Sequence, residues 1–138
     1  MLLVLTLLGA VAALVAPAAR LVEPASNDVR YTAHDLVSLL ERARLTALER
    51  GTTVELRLDP SSGRAWIFAA DADTLRLLAT ETMRRVTAVE ILTAGARARF
   101  SFSPAGEVFG APISIRGLGS AQRIIVDPWT GGTHVASR

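Results

Sequence analysis

The stretch Ala43-Arg-Leu-Thr-Ala-Leu-Glu-Arg-Gly51-Thr-Thr53-Val-Glu-Leu-Arg-Leu58 decides the fold, because the hydrophobic period changes inside it. Before Gly51, the residues Leu36, Leu39, Leu40, Ala43 and Ala47 fall on one stripe at 3.6-residue spacing, the signature of an amphipathic helix. Asp35, Glu41, Arg42, Arg44 and Glu49 occupy the rest of the circumference, and Leu45 points away from the stripe. Thr32-Ala-His-Asp35 reads as a capping box that opens this helix. Gly51 is placed to end it. After Gly51 the period is two, and Val54, Leu56 and Leu58 share one face of a strand.

Working downstream, Asp59-Pro-Ser-Ser-Gly63 is a turn cluster. Arg64 to Ala69 predicts a second strand, with Trp66 and Phe68 buried. Residues 70–85 fit either a short helix or a strand, through Leu75, Leu77 and Leu78. Further strands are expected over 86–92, 96–102, 113–116, 123–127 and 133–136. Arg97 and Arg99 then lie opposite Phe100 and Phe102. Ser103–Gly106, Gly117–Ser120 and Pro128–Gly132 are turns. No repeat of solenoid period occurs. The predicted fold class is α+β, one long N-terminal helix packed on an antiparallel β-sheet.

Working upstream, Met1 to Ala19 carries no charge, and its only hydroxyl is Thr6. As a helix it would span ~28 Å at 1.5 Å per residue, close to the ~30 Å of a bilayer's hydrocarbon core. No basic residue precedes Leu2, as a secretory signal would require. A buried core helix is usually amphipathic, and this run is apolar all round. A membrane helix fits best. Pro17 should kink it, and Pro24-Ala-Ser-Asn-Asp28 reads as a loosened joint. The chain thus divides into a membrane and assembly segment, 1–24, and a globular head, 25–138.

The 138 residues are half hydrophobic, with a mean hydropathy of +0.34, and the excess sits in that first segment. All 15 bases are arginine, yet the net charge is only +2, which demands no nucleic-acid partner. There is no cysteine, hence no disulfide or thiolate chemistry. His34 and His134 stand apart, and no carboxylate–histidine spacing offers three metal ligands. Asp71 and Asp73 are a pair of loop acids, read as solvated. No nucleophile elbow or phosphate loop is present. Catalytic, cofactor and metal sites are therefore all expected to be absent. From Arg97 onward five bases face two acids. Arg97, Arg99, Arg116 and Arg123 are accordingly the candidate DNA contacts, against the simpler reading of a solvated strand face.

An apolar N-terminal helix with Gly9 and then Pro17 resembles that of type IV pilins and type II secretion pseudopilins. The Ala43-Arg … Gly51 helix end, Arg99-Phe-Ser-Phe-Ser-Pro-Ala-Gly106 and Arg123-Ile-Ile-Val-Asp-Pro-Trp-Thr-Gly131 follow in order. This order is similar to the minor pseudopilins of the general secretion pathway protein H class. The resemblance implies a type IV pilin-like fold and a non-enzymatic, structural role in a periplasmic pseudopilus. It implies a single-pass inner-membrane subunit with its C-terminal head in the periplasm. Leu2, Leu5, Leu8, Gly9, Val11, Leu14 and Pro17 would form its membrane and assembly helix. Other major and minor pseudopilins would be its partners, after prepilin processing and N-terminal methylation. Two alternatives stand beside it: a DNA-binding minor pilin of a type IV pilus used in DNA uptake, and a secreted β-rich protein with a signal peptide. Against DNA uptake, no Gly-Arg-x-Arg motif lies near the C-terminus, and Gly95-Ala-Arg-Ala-Arg99 is its nearest match.

In that family a basic leader, a glycine and Phe-Thr-Leu-x-Glu precede the apolar run, and counting back from Gly9 puts the acid immediately before Met1. The native precursor is therefore expected to begin upstream. In-frame translation of the genomic DNA should reveal those residues against Met1. A stop codon directly upstream, with a ribosome-binding site ahead of Met1, would overturn this.

Overall fold

The computed structural model describes residues 27–83, 89–117 and 119–137. A helix, α1, runs through 27–50. Nine strands follow: β1 Thr53–Asp59, β2 Arg64–Asp71, β3 Thr74–Thr82, β4 Glu90–Leu92, β5 Ala98–Phe102, β6 Val108–Gly110, β7 Ile113–Gly117, β8 Ser120–Val126 and β9 Thr133–Ser137. The segment 1–24, with Leu2, Leu5, Leu8, Gly9, Val11, Leu14 and Pro17, lies outside the described residues.

All five residues of the expected stripe on α1 are buried, and Val29 and Ala33 extend it toward the N-terminus. Leu45 is exposed, as its position off the stripe requires. The helix ends at Gly51, whose φ of 63° is a left-handed stop open to glycine at no steric cost. The expected capping box is corrected. Asn27 to Tyr31 are already helical, so Thr32 is an interior residue. Its hydroxyl donates to the carbonyl of Asp28, at 2.9 Å, instead of capping an amide. Asn27 and Asp28 are likewise helical, not part of a loosened joint.

β1 buries Val54, Leu56 and Leu58 as its alternation predicts. β2 pairs with it so that Val54, Leu56 and Leu58 face Ala69, Ile67 and Ala65. Directly opposed residues point to the same side of a sheet, so those three enter the core. Trp66 and Phe68 therefore lie half-buried on the outer face, contrary to the expectation that β2 buries them. Residues 74–82 form a strand, not a helix, and a bulge at Ile67/Phe68 leaves Leu78 without an opposing residue.

Two antiparallel sheets stand where one was expected. The first has the order β3-β2-β1-β5-β6 and the second the order β4-β7-β8-β9. The short β6, which sequence reasoning missed, ends at Gly110, and Ala111 and Pro112 follow. Proline has no amide hydrogen for a ladder, and at Ile113 the chain returns to the second sheet, to which β4 already belongs. One hydrophobic core nevertheless includes residues of α1, Leu56, Ile67, Phe100 and Phe102 of the first sheet, and Ile113, Ile115 and Ile124 of the second.

Phe100 is fully buried and pairs across the strands with Gly110. A Cβ on Gly110 would lie 2.1 Å from Phe100 Cδ1, so the ring occupies the space a side chain would need. Gly110→Ala should cost about 1–3 kcal/mol through this overpacking. Chemical denaturation of the variant against the parent chain checks it, and an unchanged midpoint would show that the ring moves aside freely.

Candidate functional site

Three separated segments meet at one point of the head. Gly131 has a φ of 68° and is buried. A Cβ there would lie 2.8 Å from Arg44 Cδ and Nε and 3.1 Å from the carbonyl oxygen of Gly106. The end of α1, the β5–β6 turn and the β8–β9 turn thus close on one another with no room for a side chain. Arg44 Nη1 donates to Glu41 at 3.4 Å, while its buried Nε has no hydrogen-bond partner among the described residues. The backbone amide of Val108 donates to the carbonyl of Pro128 at 2.9 Å, tying the edge of the first sheet to a turn of the second.

Each of two turns is built on an aspartate. Asp127 Oδ1 accepts from the amides of Thr130 and Trp129, at 2.8 and 2.9 Å, and these bonds hold its carboxyl below the usual range. Asp59 accepts from the hydroxyl of Ser61 at 2.6 Å, the hydroxyl of Ser62 at 2.9 Å and the amide of Ser61 at 2.9 Å. These lower its pKa from 3.8 to about 2. Hydrogen bonds to the charged form are the cause in both cases.

The outer face of the five-stranded sheet carries the densest grouping of charge and aromatic surface. Glu55 Oε1 accepts from Arg57 Nε at 2.6 Å and forms an ion pair with Arg99, whose Nε lies 3.0 Å away. The Arg57 guanidinium lies 4.9 Å from the centroid of Phe68, and that of Arg97 lies 6.0 Å from Trp66. Both distances are within cation–π range. Phe68 is opposite Leu77 on β3, and Ser101 is opposite Phe109 on β6. Leu77 is 52% and Phe109 67% exposed, so apolar side chains stand on both edge strands, with Glu55 and Ser101 between Phe68 and Phe109.

The four candidate DNA-contact arginines are divided between the two sheets. Arg97 and Arg99 belong to this outer face. Arg116 is on β7, opposite Glu90, and Arg123 is on β8, opposite Ser114. His34 and His134 are exposed. Asp71 and Asp73 flank the β2–β3 turn, and no group of three or more possible metal ligands occurs among the described residues. Sequence reasoning missed the aromatic face because hydrophobicity alone assigned Trp66 and Phe68 to the core. The signal that finds it is the register with Leu56 and Leu58.

The family model for the type II transport protein GspH matches residues 32–131, from the buried Thr32 of α1 to the glycine at the three-segment junction. The chain belongs to the GspH family. Among solved structures it is similar to the type IV minor pilin FimU of Pseudomonas aeruginosa. The TM-score is 0.67 at 13% identity, over 80% of this chain and 89% of that one. It is also similar to the minor pseudopilin EpsH of the Vibrio cholerae type 2 secretion system. That TM-score is 0.59 at 15% identity, over 79% of this chain and 96% of the other. No curated protein matches. The fold is accordingly type IV pilin-like, one helix packed on antiparallel sheets, as the sequence implied. The motifs that carry the GspH resemblance are those that meet at Arg44, Gly106 and Gly131.

Asp59 should contribute a pH-dependent share of stability. Its folded-state pKa is depressed, so the contribution is present above about 3.8 and is lost as pH falls through about 2. Asp59→Ala should melt below the parent chain at pH 6, and the gap should close between pH 4 and pH 2. Melting curves at these three values check it, and a gap independent of pH would exclude the carboxylate as its source.

Proposed function

We propose that this chain is a structural minor pseudopilin of a type II secretion system, supporting protein export across the outer membrane. The GspH family match over residues 32–131 carries the reading. It is supported by the apolar, uncharged sequence of residues 1–19, after which every charged side chain of the chain lies. Among the described residues no helix is long and apolar enough to cross a membrane. In the proposed cycle the segment first lies in the inner membrane with the head in the periplasm. It then leaves lipid for the filament core, packed against the same segments of other pseudopilins.

The physical logic is a change of solvent. A helix apolar on every side is stable in hydrocarbon and equally stable among other apolar helices, so transfer between the two costs little. The head supplies no reaction in this reading. It sets the subunit's outer surface and directs which neighbours it accepts. The division of Arg97, Arg99, Arg116 and Arg123 between two sheets gives no continuous track for a phosphate backbone.

The test is fractionation followed by affinity purification of the tagged full chain from its host. The chain should enter the membrane fraction, since a charge at the centre of the segment would cost ~2.5–3.5 kcal/mol and it has none. Secretion-pseudopilus subunits should co-purify after crosslinking. A chain found wholly in the soluble fraction would overturn the reading. Type IV pilus subunits in their place, with salt-sensitive DNA binding lost when the four arginines are replaced, would establish the DNA-uptake pilin instead.

A further inference from the structure

The outer face of the five-stranded sheet has a composition that its own fold does not require. The sheet's core is satisfied on the opposite side by Val54, Leu56, Leu58, Ile67, Phe100 and Phe102, all buried. A solvated outer face would hold small polar residues. This one holds Trp66 and Phe68 half-buried at its centre, with Leu77 and Phe109 exposed toward its edges. Tryptophan, phenylalanine and arginine are the residues enriched in the buried centres of protein interfaces. Exposed apolar surface rimmed by polar groups marks such sites, and here Trp66, Phe68 and Leu77 form it, with Glu55 and Ser101 between them and Phe109.

The charges indicate the partner. Arg57 and Arg99 both pair with one carboxylate, Glu55, and Arg97 lies over Trp66 with no carboxylate partner among the described residues. The face therefore presents positive charge in excess, on side chains whose stems are spread over aromatic rings. Both aromatic rings already have a guanidinium against them, so neither is free to stack a nucleic-acid base. Glu55 would also stand directly in the path of a phosphate backbone. Carboxylates carried on an apolar protein surface meet both requirements of the face, its cations and its rings.

We propose that this outer face, centred on Trp66, Phe68, Arg57, Arg97 and Arg99, docks an acidic, partly apolar segment on the head of a neighbouring pilin-like subunit. The proposal rests on the pseudopilin reading and adds to it which side of the head is covered. Contact between heads would then be steered by charge and held by the aromatic centre. Charge complementarity of this kind governs encounter and partner choice more than raw affinity.

Photo-crosslinking in the host tests it with the full chain. p-Benzoylphenylalanine replaces Leu77 or Phe109 on the face, and Leu45 or Val135 at exposed control positions elsewhere. The face positions should give a light-dependent adduct with a pilin-like subunit, joined through a peptide rich in Asp and Glu, and the controls should not. Arg97→Glu with Arg99→Glu should reduce that adduct by about tenfold through like-charge repulsion, while circular dichroism shows the head still folded. Reversing the charge of the crosslinked partner segment should restore it. Loss of face adducts while pilin-like subunits still co-purify would overturn the proposal and leave the pseudopilin reading intact. Adducts to lipid or DNA, or adducts indifferent to the double reversal, would also overturn it. Failure of any pilin-like subunit to co-purify would overturn both.

Discussion

One helical stripe holds the head together. Among the described residues the two sheets share no hydrogen-bonded ladder, and their residues join through a single core that includes α1. Leu36, Leu39, Leu40, Ala43 and Ala47 are the residues that bring this about, and none is more than 7% exposed. Truncating a buried leucine to alanine costs about 2–5 kcal/mol, a large share of the 5–15 kcal/mol by which a domain is stable. The bond from Val108 to Pro128 and the closure of Gly131 on Arg44 and Gly106 then fix how the sheets lie at one end of that helix.

This dependence explains what was legible in the sequence and what was not. The stripe on α1 and the alternation of β1 are local patterns, and both are as the sequence predicts. The side to which β2 turns is not local, because both of its faces carry apolar residues. Pairing with β1 decides it, and the inward positions go to Ala65, Ile67 and Ala69. Hydrophobic scale alone chose the larger rings. The division into two sheets was hidden for a related reason. A strand's alternation tells which face is apolar but not which strand lies beside it, and Pro112 gives only the point of interruption.

The candidate sites divide in the same way. Arg44, Gly106 and Gly131 stood out as parts of motifs whose order resembles the GspH family, and the structure gives that order a physical content. Glycine at 131 is required twice, by its positive φ and by the side chain and backbone pressed against it. The aromatic and arginine face left no motif. It arises from residues on four strands and becomes visible only when the register aligns Arg57 with Trp66 and Arg99, and Phe68 with Leu77. Arg97 and Arg99 were singled out for charge, whereas their surroundings are aromatic and carboxylate rather than a run of bases.

Two open sheets have four edges, and an edge strand is a template on which another chain can add itself. A subunit crowded against like molecules is more exposed to that hazard than a dilute one. Here β4 and β6 are only three residues long, and the amide of Val108 on β6 is already committed to Pro128. The long edge β3 is opposed to its neighbour through a bulge that breaks the register, and it carries Arg76 near its start. The irregularities that blurred the strand pattern of residues 70–85 thus limit runaway strand addition. Neighbours are left to meet through side chains, in contacts that can form and dissolve.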